Sequence, residues 1–162
     1  FDIVLTYSRC KRLTGYIAKK EIQKVPFLSV WMQYLYCLFL DRENAKEGLK
    51  TILKAIEYVK NGISIFIFPE GTRNKGEELS LLPFKDGAFR IATKTGCPIV
   101  PVSLNNTADI LENHFPRIKK THVVIEYGKP IYPNELDAET KKHIGAYVQN
   151  IVQETINKNA EI

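Results

Sequence analysis

The chain has 162 residues, 44% of them hydrophobic and 25% charged, which is the composition of an ordinary soluble globular protein with a substantial core. No internal repeat, low-complexity stretch or linker interrupts it, so a single domain is expected over residues 1–162. The formal net charge of +5 favours an anionic partner, which could be a phosphorylated ligand, a membrane surface or nucleic acid, and it equally serves simple solubility.

Much of the positive charge lies near the start of the chain. Glu21 is the only acid between Arg9 and Lys24. The basic residues of this stretch are Arg9, Lys11, Arg12, Lys19, Lys20 and Lys24. Such a run forms a solvated face, or it meets an anionic membrane surface or a phosphate ligand. No zinc-finger, helix-turn-helix or RNP-like pattern accompanies the charge, so nucleic acid is not the expected partner.

The three cysteines argue against both a disulfide framework and a zinc site. Cys10, Cys37 and Cys97 are odd in number, far apart and not arranged as C-x-x-C. A reducing, cytosol-facing location fits this usage.

The first elements surround an unusually apolar segment. A helical turn over Ile3–Tyr7 and a short strand over Gly15–Ala18 precede it. The apolar segment itself, Val25–Leu40, is shorter than the roughly 20 residues of a membrane-spanning helix, and it follows Pro26. We expect a buried helix that passes into a strand near Leu38; the alternative is an interfacial helix that touches a membrane.

The next elements predict an α/β unit. Apolar residues at helical spacing predict a helix over Asn44–Asn61, and the β-branched and aromatic run Ile63–Phe68 follows it as a buried strand. A helix that leads straight into a buried strand favours a largely parallel sheet. The remaining predicted elements are a helix at Ala88–Lys94, strands at 98–104 and 122–127, and an amphipathic helix at 137–157, with a loop at 105–120.

The most informative stretch is Phe68-Pro69-Glu70-Gly71-Thr72-Arg73, at the end of that buried strand. Open α/β sheets bind their ligands at the carboxyl ends of strands. Gly71 lets the backbone approach a ligand closely or take a positive φ. Arg73 presents a planar set of donors that suits a phosphate group.

The same six residues resemble the FPEGTR signature of the glycerolipid acyltransferases, the lysophosphatidic acid acyltransferase family. That family also carries a block of the form G-x-x-F-x-D/R-R, which Tyr36–Arg42 resembles: Phe39 and Arg42 are kept, and Tyr36 stands where the family has glycine. Two weaker similarities are the segment Phe84–Phe89, with Lys85 and Gly87, and the apolar strand Val100–Leu104.

The resemblance implies roles for individual residues. Arg73 and Arg42 would bind the phosphate of the acceptor, and Lys20 stands where the family often has a basic residue that reaches phosphate. Gly71 and Thr72 would supply backbone and hydroxyl donors. Glu70 would orient the acceptor or brace a basic neighbour, or else form a structural salt bridge.

Acyl transfer to an alcohol needs a base, which in the family is the histidine of an N-H-x-x-x-x-D block with its aspartate. The residues five positions after His114, His122 and His143 are Lys119, Tyr127 and Val148, so none of the three completes the block. Asp2 stands where the block's aspartate is expected. The resemblance therefore implies a histidine five positions before Asp2, a domain that is incomplete at its N-terminus, and a chain that alone is inactive or nearly so.

The fold that the resemblance implies is an α/β domain whose mixed, largely parallel sheet is flanked by helices. The implied reaction transfers a fatty acyl group from acyl-CoA or acyl carrier protein to the sn-2 hydroxyl of 1-acylglycerol 3-phosphate, which gives phosphatidic acid without a metal or other cofactor. The implied surroundings are an anionic membrane surface at the cytoplasmic face, with this segment itself soluble. The alternatives are acylation of glycerol 3-phosphate or of another lysophospholipid, and a non-catalytic, basic module that binds membrane surfaces.

Overall fold

The computed structural model describes residues 2–72, 74 and 79–162. Its α-helices are α1 (Asp2–Tyr7), α2 (Leu28–Tyr34), α3 (Ala45–Lys60), α4 (Arg90–Thr95), α5 (Ala138–Lys142) and α6 (Ile144–Asn159). Its strands are β1 (Thr14–Lys19), β2 (Leu38–Leu40), β3 (Ser64–Phe66), β4 (Val102–Asn105) and β5 (Val124–Tyr127). Short 3₁₀ helices span Lys20–Lys24, Asp86–Phe89, Ala108–Ile110, Glu112–His114 and Pro133–Glu135.

The chain forms two compact units. The first, which we call the parallel-sheet unit, comprises residues 10–68 and 90–97. The second, the C-terminal unit, takes its described residues from 1–9, 69–89 and 98–162.

The parallel-sheet unit is built around β1, which is the middle strand of a parallel sheet in the order β2-β1-β3. The first five residues of β1 are buried. Gly15 allows this packing because a Cβ atom at that position would overlap the carbonyl oxygen of Tyr36. Any other residue at position 15 would push β1 away from the chain that enters β2.

Helix α3 covers the sheet with its apolar face, and its ends are well defined. The side-chain oxygen of Asn44 accepts hydrogen bonds from the backbone N–H groups of Lys46 and Glu47, at 3.1 and 3.2 Å. Gly62 follows the last turn with a φ of 81°, as helix-ending glycines do. Ile17 of β1, Ala55 of α3 and Ile91 of α4 form the buried centre of this unit.

The C-terminal unit has a different architecture, in which α6 packs on an antiparallel pair formed by β4 and β5. Four aliphatic residues of α6 are buried together with Phe89: Ile144, Val148, Val152 and Ile156. Asn105 of β4 ties the sheet to the helix, because its side-chain amide donates a hydrogen bond of 3.0 Å to the carbonyl oxygen of Ile156.

The structure confirms the predicted α/β class and most of the predicted elements. The strand pairs β1–β2 and β1–β3 are parallel, whereas β4 and β5 form a separate antiparallel sheet. The predicted strand Ile63–Phe68 is shorter, at Ser64–Phe66. The predicted helix 137–157 is divided into α5 and α6 at His143, whose φ of −114° and ψ of 35° are not helical. The expectation of a single domain over 1–162 stays a prediction.

For Val25–Leu40, the expected order of a helix followed by a strand is confirmed. The expectation that this helix is buried is wrong. A helix, α2, does precede a strand, β2. Helix α2 has only seven residues, of which Ser29 and Met32 are buried. A helix of two turns packs through one side only, so the apolar residues around the rest of its circumference remain exposed. Among the described residues, no helix combines the length and the apolar character needed to cross a bilayer.

Candidate functional site

The parallel-sheet unit brings Lys20 and Arg42 together at the carboxyl ends of two neighbouring strands. Lys20 directly follows β1 and Arg42 stands two residues after β2, and Lys19 lies opposite Leu40 in the register of the sheet. Parallel strands end at the same edge of a sheet, which is where α/β folds bind ligands. An open pocket of about 320 Å³ lies there, and its lining is Lys19, Lys20, Glu21, Lys24, Leu40, Asp41, Arg42 and Glu43.

Asp41 organises the charges of this pocket. Its Oδ2 accepts a hydrogen bond of 2.7 Å from the Nζ of Lys20. Its Oδ1 accepts from the backbone N–H groups of Glu43 and Asn44, at 3.0 and 3.1 Å. The hydrogen bond to Lys20, followed by these backbone bonds, lowers the pKa of Asp41, and the same bond raises the pKa of Lys20. The carboxylate therefore fixes the position of the ammonium group at the pocket.

Asp41 was not among the site residues predicted from the sequence. A local signal for Asp41 exists, because aspartate is typical of Asx-type turns just before a helix. In such a turn the carboxylate accepts hydrogen bonds from the backbone N–H groups two and three residues later. Its pairing with Lys20, 21 positions away, depends on the parallel register of β1 and β2.

Tyr36 occupies the place of the family's glycine, and its backbone has the conformation that glycine favours. Its φ is 58°. A left-handed conformation costs a residue with a side chain roughly 1–2 kcal/mol. The ring of Tyr36 meets that of Tyr58 in an edge-to-face arrangement with 5.5 Å between centroids, which gives a packing reason for a tyrosine at this place.

This geometry predicts an unusual order of stabilities at position 36. Tyr36→Ala and Tyr36→Gly both remove the ring contact with Tyr58, but only Gly relieves the left-handed backbone. The Gly variant is therefore expected to be more stable than the Ala variant by about 1 kcal/mol, whereas in ordinary helix or strand interiors Gly is the less stable of the two. Urea denaturation of both variants measures this; an Ala variant of equal or greater stability would contradict it.

In the C-terminal unit, Glu70 fixes the turn that carries residues 69–72 of the FPEGT segment, which we call the FPEGT turn. The Oε2 of Glu70 accepts a hydrogen bond of 2.9 Å from the backbone N–H of Leu82. One residue earlier, the carbonyl oxygen of Pro69 accepts from the N–H of Lys85 at 3.0 Å. Segment 69–71 is thus pinned to segment 82–85, and the carboxylate of Glu70 holds the backbone of Leu82 in this contact.

Asp2 lies close enough to Glu70 for their charges to interact. Burial is the main cause of the raised pKa of Glu70, and repulsion from the carboxylate of Asp2 adds to it. Asp2 opens α1, where its carbonyl oxygen accepts a hydrogen bond of 2.6 Å from the Oγ1 of Thr6. The structure therefore brings together two of the predicted site residues, Asp2 and Glu70, within one unit.

Lys85 lies against Gly71 of the same turn. Gly71 has a φ of 73°, and a Cβ atom built on it would lie 3.4 Å from the Nζ of Lys85. The ammonium group of Lys85 thus lies over the glycine backbone, which supports the weaker resemblance noted for Lys85. Thr72 is exposed, and Arg73 lies outside the described residues.

A comparison of Gly71→Ala with Gly62→Ala separates the cost of backbone strain from a role of Gly71 in the site. Both glycines have a positive φ, so both substitutions should cost roughly 1 kcal/mol of stability. A Cβ at Gly62 would meet nothing within 4 Å, whereas one at Gly71 would contact Lys85. Only Gly71→Ala is therefore expected to weaken acceptor binding, measured as KM at a temperature where both variants are folded. An equal KM effect from both variants would remove Gly71 from the site.

Two of the three histidines lie beside carboxylates, and the third contacts an asparagine side chain. The Nε2 of His143 is 3.4 Å from Oε1 of Glu139, and that of His114 is 4.0 Å from Oδ1 of Asp109. The carbonyl oxygen of His122 accepts a hydrogen bond from the side chain of Asn106. Within the part of the chain that the structure describes, no three His, Cys, Asp or Glu side chains cluster as metal ligands would. The expectation of catalysis without metal or cofactor stays a prediction.

Comparison with known proteins defines the class of this domain: residues 1–105 match the family model described as Acyltransferase, and the chain belongs to that family. It is similar to the 1-acyl-sn-glycerol-3-phosphate acyltransferase of Saccharomyces cerevisiae, with 36% identity over 146 residues, which cover 90% of this chain and 47% of that protein. The protein of the same name from Escherichia coli is 30% identical over 157 residues, which cover 96% of this chain and 62% of that protein.

A solved structure agrees with these sequence relatives. The chain superposes on the crystal structure of the 1-acyl-sn-glycerophosphate acyltransferase PlsC from Thermotoga maritima with a TM-score of 0.74 and 28% identity. The match covers 91% of this chain and 57% of that one. The chain thus spans about half to three fifths of the length of these relatives.

Proposed function

We propose that the chain carries the acyl-transfer function of 1-acylglycerol-3-phosphate acyltransferases, moving a fatty acyl group from acyl-CoA or acyl carrier protein to the sn-2 hydroxyl of 1-acylglycerol 3-phosphate. The observation that carries this proposal is the similarity to curated proteins of that name across 90–96% of the chain. The FPEGT turn and the basic pocket after β1 and β2 support it, since they supply the kinds of groups that a phosphorylated acceptor requires.

The phosphate is assigned to the basic groups. Lys20 is held in place by Asp41, and Arg42 lines the same pocket, so this pocket offers an ammonium and a guanidinium group to a doubly charged phosphate. Arg73, Gly71 and Thr72 are proposed to add a guanidinium fork, backbone access and a hydroxyl donor. Glu70 is proposed to act as a positioning residue, because its carboxylate holds the N–H of Leu82.

The reaction itself needs a base and a fixed acceptor. The sn-2 hydroxyl loses its proton as its oxygen attacks the thioester carbonyl; the C–S bond then breaks, and the thiol leaves with a proton. We propose that the histidine which the family pattern places five residues before Asp2 removes the proton, and that Asp2 fixes the tautomer of this imidazole and stabilises its protonated form. Binding of the phosphate places the hydroxyl near the thioester, which converts a bimolecular encounter into an oriented one.

An acceptor panel tests the choice of substrate. The chain is extended upstream so that the sequence Asn-His-x-x-x precedes Phe1, and labelled acyl-CoA and acyl carrier protein are offered with 1-acylglycerol 3-phosphate, glycerol 3-phosphate or another lysophospholipid. The expected result is preferred acylation of 1-acylglycerol 3-phosphate. Preferred acylation of glycerol 3-phosphate or of the other lysophospholipid would show that this molecule, and not 1-acylglycerol 3-phosphate, is the acceptor. Binding of lipid without any transfer would favour the non-catalytic module.

The acceptor of this reaction is a lipid, so the proposed surroundings are an anionic membrane surface at the cytoplasmic face. The basic stretch near the start of the chain supports this placement, because each basic residue near an anionic leaflet contributes roughly 1 kcal/mol to binding.

A further inference from the structure

The outward side of α2 is apolar, the reverse of an ordinary surface helix. With about 100° between successive residues, Val30, Trp31 and Tyr34 fall on one side of α2, opposite the buried Ser29 and Met32, and Phe27 directly precedes the helix. Phe27 is 89% exposed, Tyr34 80%, and Val30 and Trp31 each 53%. We refer to these four residues as the α2 apolar face. Large apolar side chains gathered on one exposed surface mark a binding site for another molecule or a membrane.

The composition of this face fits the boundary between lipid and water. Trp and Tyr have an apolar ring with one polar group, and they are enriched where hydrocarbon meets lipid headgroups. Val25 and Leu28, which are 45% and 41% exposed, extend the apolar area next to it.

Basic residues border the α2 apolar face. The 3₁₀ helix Lys20–Lys24 packs against α2, and the two are joined through Val25, whose N–H donates to the carbonyl oxygen of Ile22 at 3.0 Å. Lys19 and Lys24 are exposed at the two ends of this 3₁₀ helix. An apolar surface with lysines at its rim is complementary to an anionic bilayer, which offers hydrocarbon below a layer of negative headgroups.

We propose that the α2 apolar face inserts into the headgroup region of an anionic bilayer, with Lys19 and Lys24 at the phosphate level. The pocket that contains Lys20 and Arg42 is lined by these same two lysines, so docking through this face places that pocket at the depth of lipid phosphates. The biological role of this docking rests on the proposed function, in which the acceptor is itself a lipid. The docking itself can be measured without any reaction.

Trp31 makes the test direct, because it is the single tryptophan of the chain. The 162-residue chain is mixed with vesicles of phosphatidylcholine that contain or lack phosphatidylglycerol, with no acyl donor or acceptor present. With the anionic vesicles, the emission of Trp31 is expected to shift to shorter wavelength and to be quenched by brominated acyl chains. An unchanged emission spectrum with both kinds of vesicle would overturn the proposal.

A variant of the face supplies the second measurement. Phe27→Asn, Val30→Gln and Tyr34→Gln are combined; all three side chains are exposed, and Asn tolerates the positive φ of position 27 better than Phe. Binding to anionic vesicles in a flotation assay is expected to fall by at least about tenfold. The matched control is Leu49→Gln with Leu53→Gln, on α3 of the same unit, where the leucines are 55% and 57% exposed. Equal losses in both variants would overturn the assignment to α2.

A second copy of the chain is the competing occupant of the same face. In that case, sedimentation without lipid would show a dimer that the α2 variant lacks, and a finding of this kind would overturn the proposal. Membrane docking and acyl transfer are tested by separate measurements, so one proposal can fail while the other holds. Acyl transfer to an acceptor in detergent solution reports on the proposed function, whereas vesicle binding without donor reports on the α2 apolar face alone.

Discussion

Asp2→Asn is expected to lower kcat for acyl transfer by on the order of a thousandfold in the version extended upstream, because an amide cannot stabilise the protonated imidazole or hold its productive tautomer. The hydrogen bond from Thr6 at the start of α1 is expected to survive the substitution, since it uses the carbonyl oxygen of Asp2 and not its side chain. Steady-state kinetics with labelled acyl-CoA measures kcat and the KM of the acceptor separately.

Two further readouts show whether this effect concerns catalysis. The KM for 1-acylglycerol 3-phosphate is expected to change little, because Asp2 is not assigned to the phosphate. The repulsion between Asp2 and Glu70 disappears in the variant, so the raised pKa of Glu70 is expected to move back towards its ordinary value. A carboxyl NMR titration would detect that movement in the folded chain. An unaltered kcat would remove Asp2 from the mechanism.

Arg42→Ala is expected to raise the KM for 1-acylglycerol 3-phosphate by about 10- to 100-fold, the range expected when one hydrogen bond to a charged group is lost. Arg42 lines the pocket at the ends of β1 and β2, which Lys20 also lines. Arg73→Ala is expected to have a similar effect from the FPEGT turn. Both changes should affect an uncharged acceptor such as 1-acylglycerol much less, because it offers no phosphate.

The matched control for the arginine variants is Arg117→Ala. Arg117 is an exposed residue in the loop before β5 and is not among the residues assigned to the phosphate. The Arg117→Ala variant loses one positive charge, as Arg42→Ala does. It therefore corrects for any general loss of attraction to anionic substrates. Equal KM increases with the phosphorylated and the uncharged acceptor, or an equal increase in Arg117→Ala, would contradict a phosphate role for Arg42.

Local sequence signals predicted the elements whose own residues determine them. The helix at Asn44–Asn61 has an Asn cap, apolar residues at helical spacing and a terminal glycine, and it was observed as α3. The strand at Gly15–Ala18 was observed within β1. Where tertiary packing decides, the sequence was insufficient. The apolar content of Val25–Leu40 does not reveal that the short helix α2 would bury only one side.

The same contrast holds for the candidate site. Motif resemblance identified Lys20 and Arg42, and the structure places both in one pocket. It did not identify Asp41 as the residue that holds Lys20, because this contact joins positions 21 apart through the register of β1 and β2. The left-handed backbone of Tyr36 was signalled only by the glycine that the family has at this place, since a tyrosine does not itself normally signal a positive φ.

The most direct test of the account is to measure phosphatidic acid formed from labelled acyl donor and 1-acylglycerol 3-phosphate, with the 162-residue chain and with the version extended upstream. The account predicts labelled phosphatidic acid, acylated at the sn-2 position, from the extended version and little or none from the shorter chain. Full activity of the shorter chain would contradict the assignment of the base and would direct attention to His114, His122 and His143. A folded extended version that forms no product would contradict the proposed reaction itself.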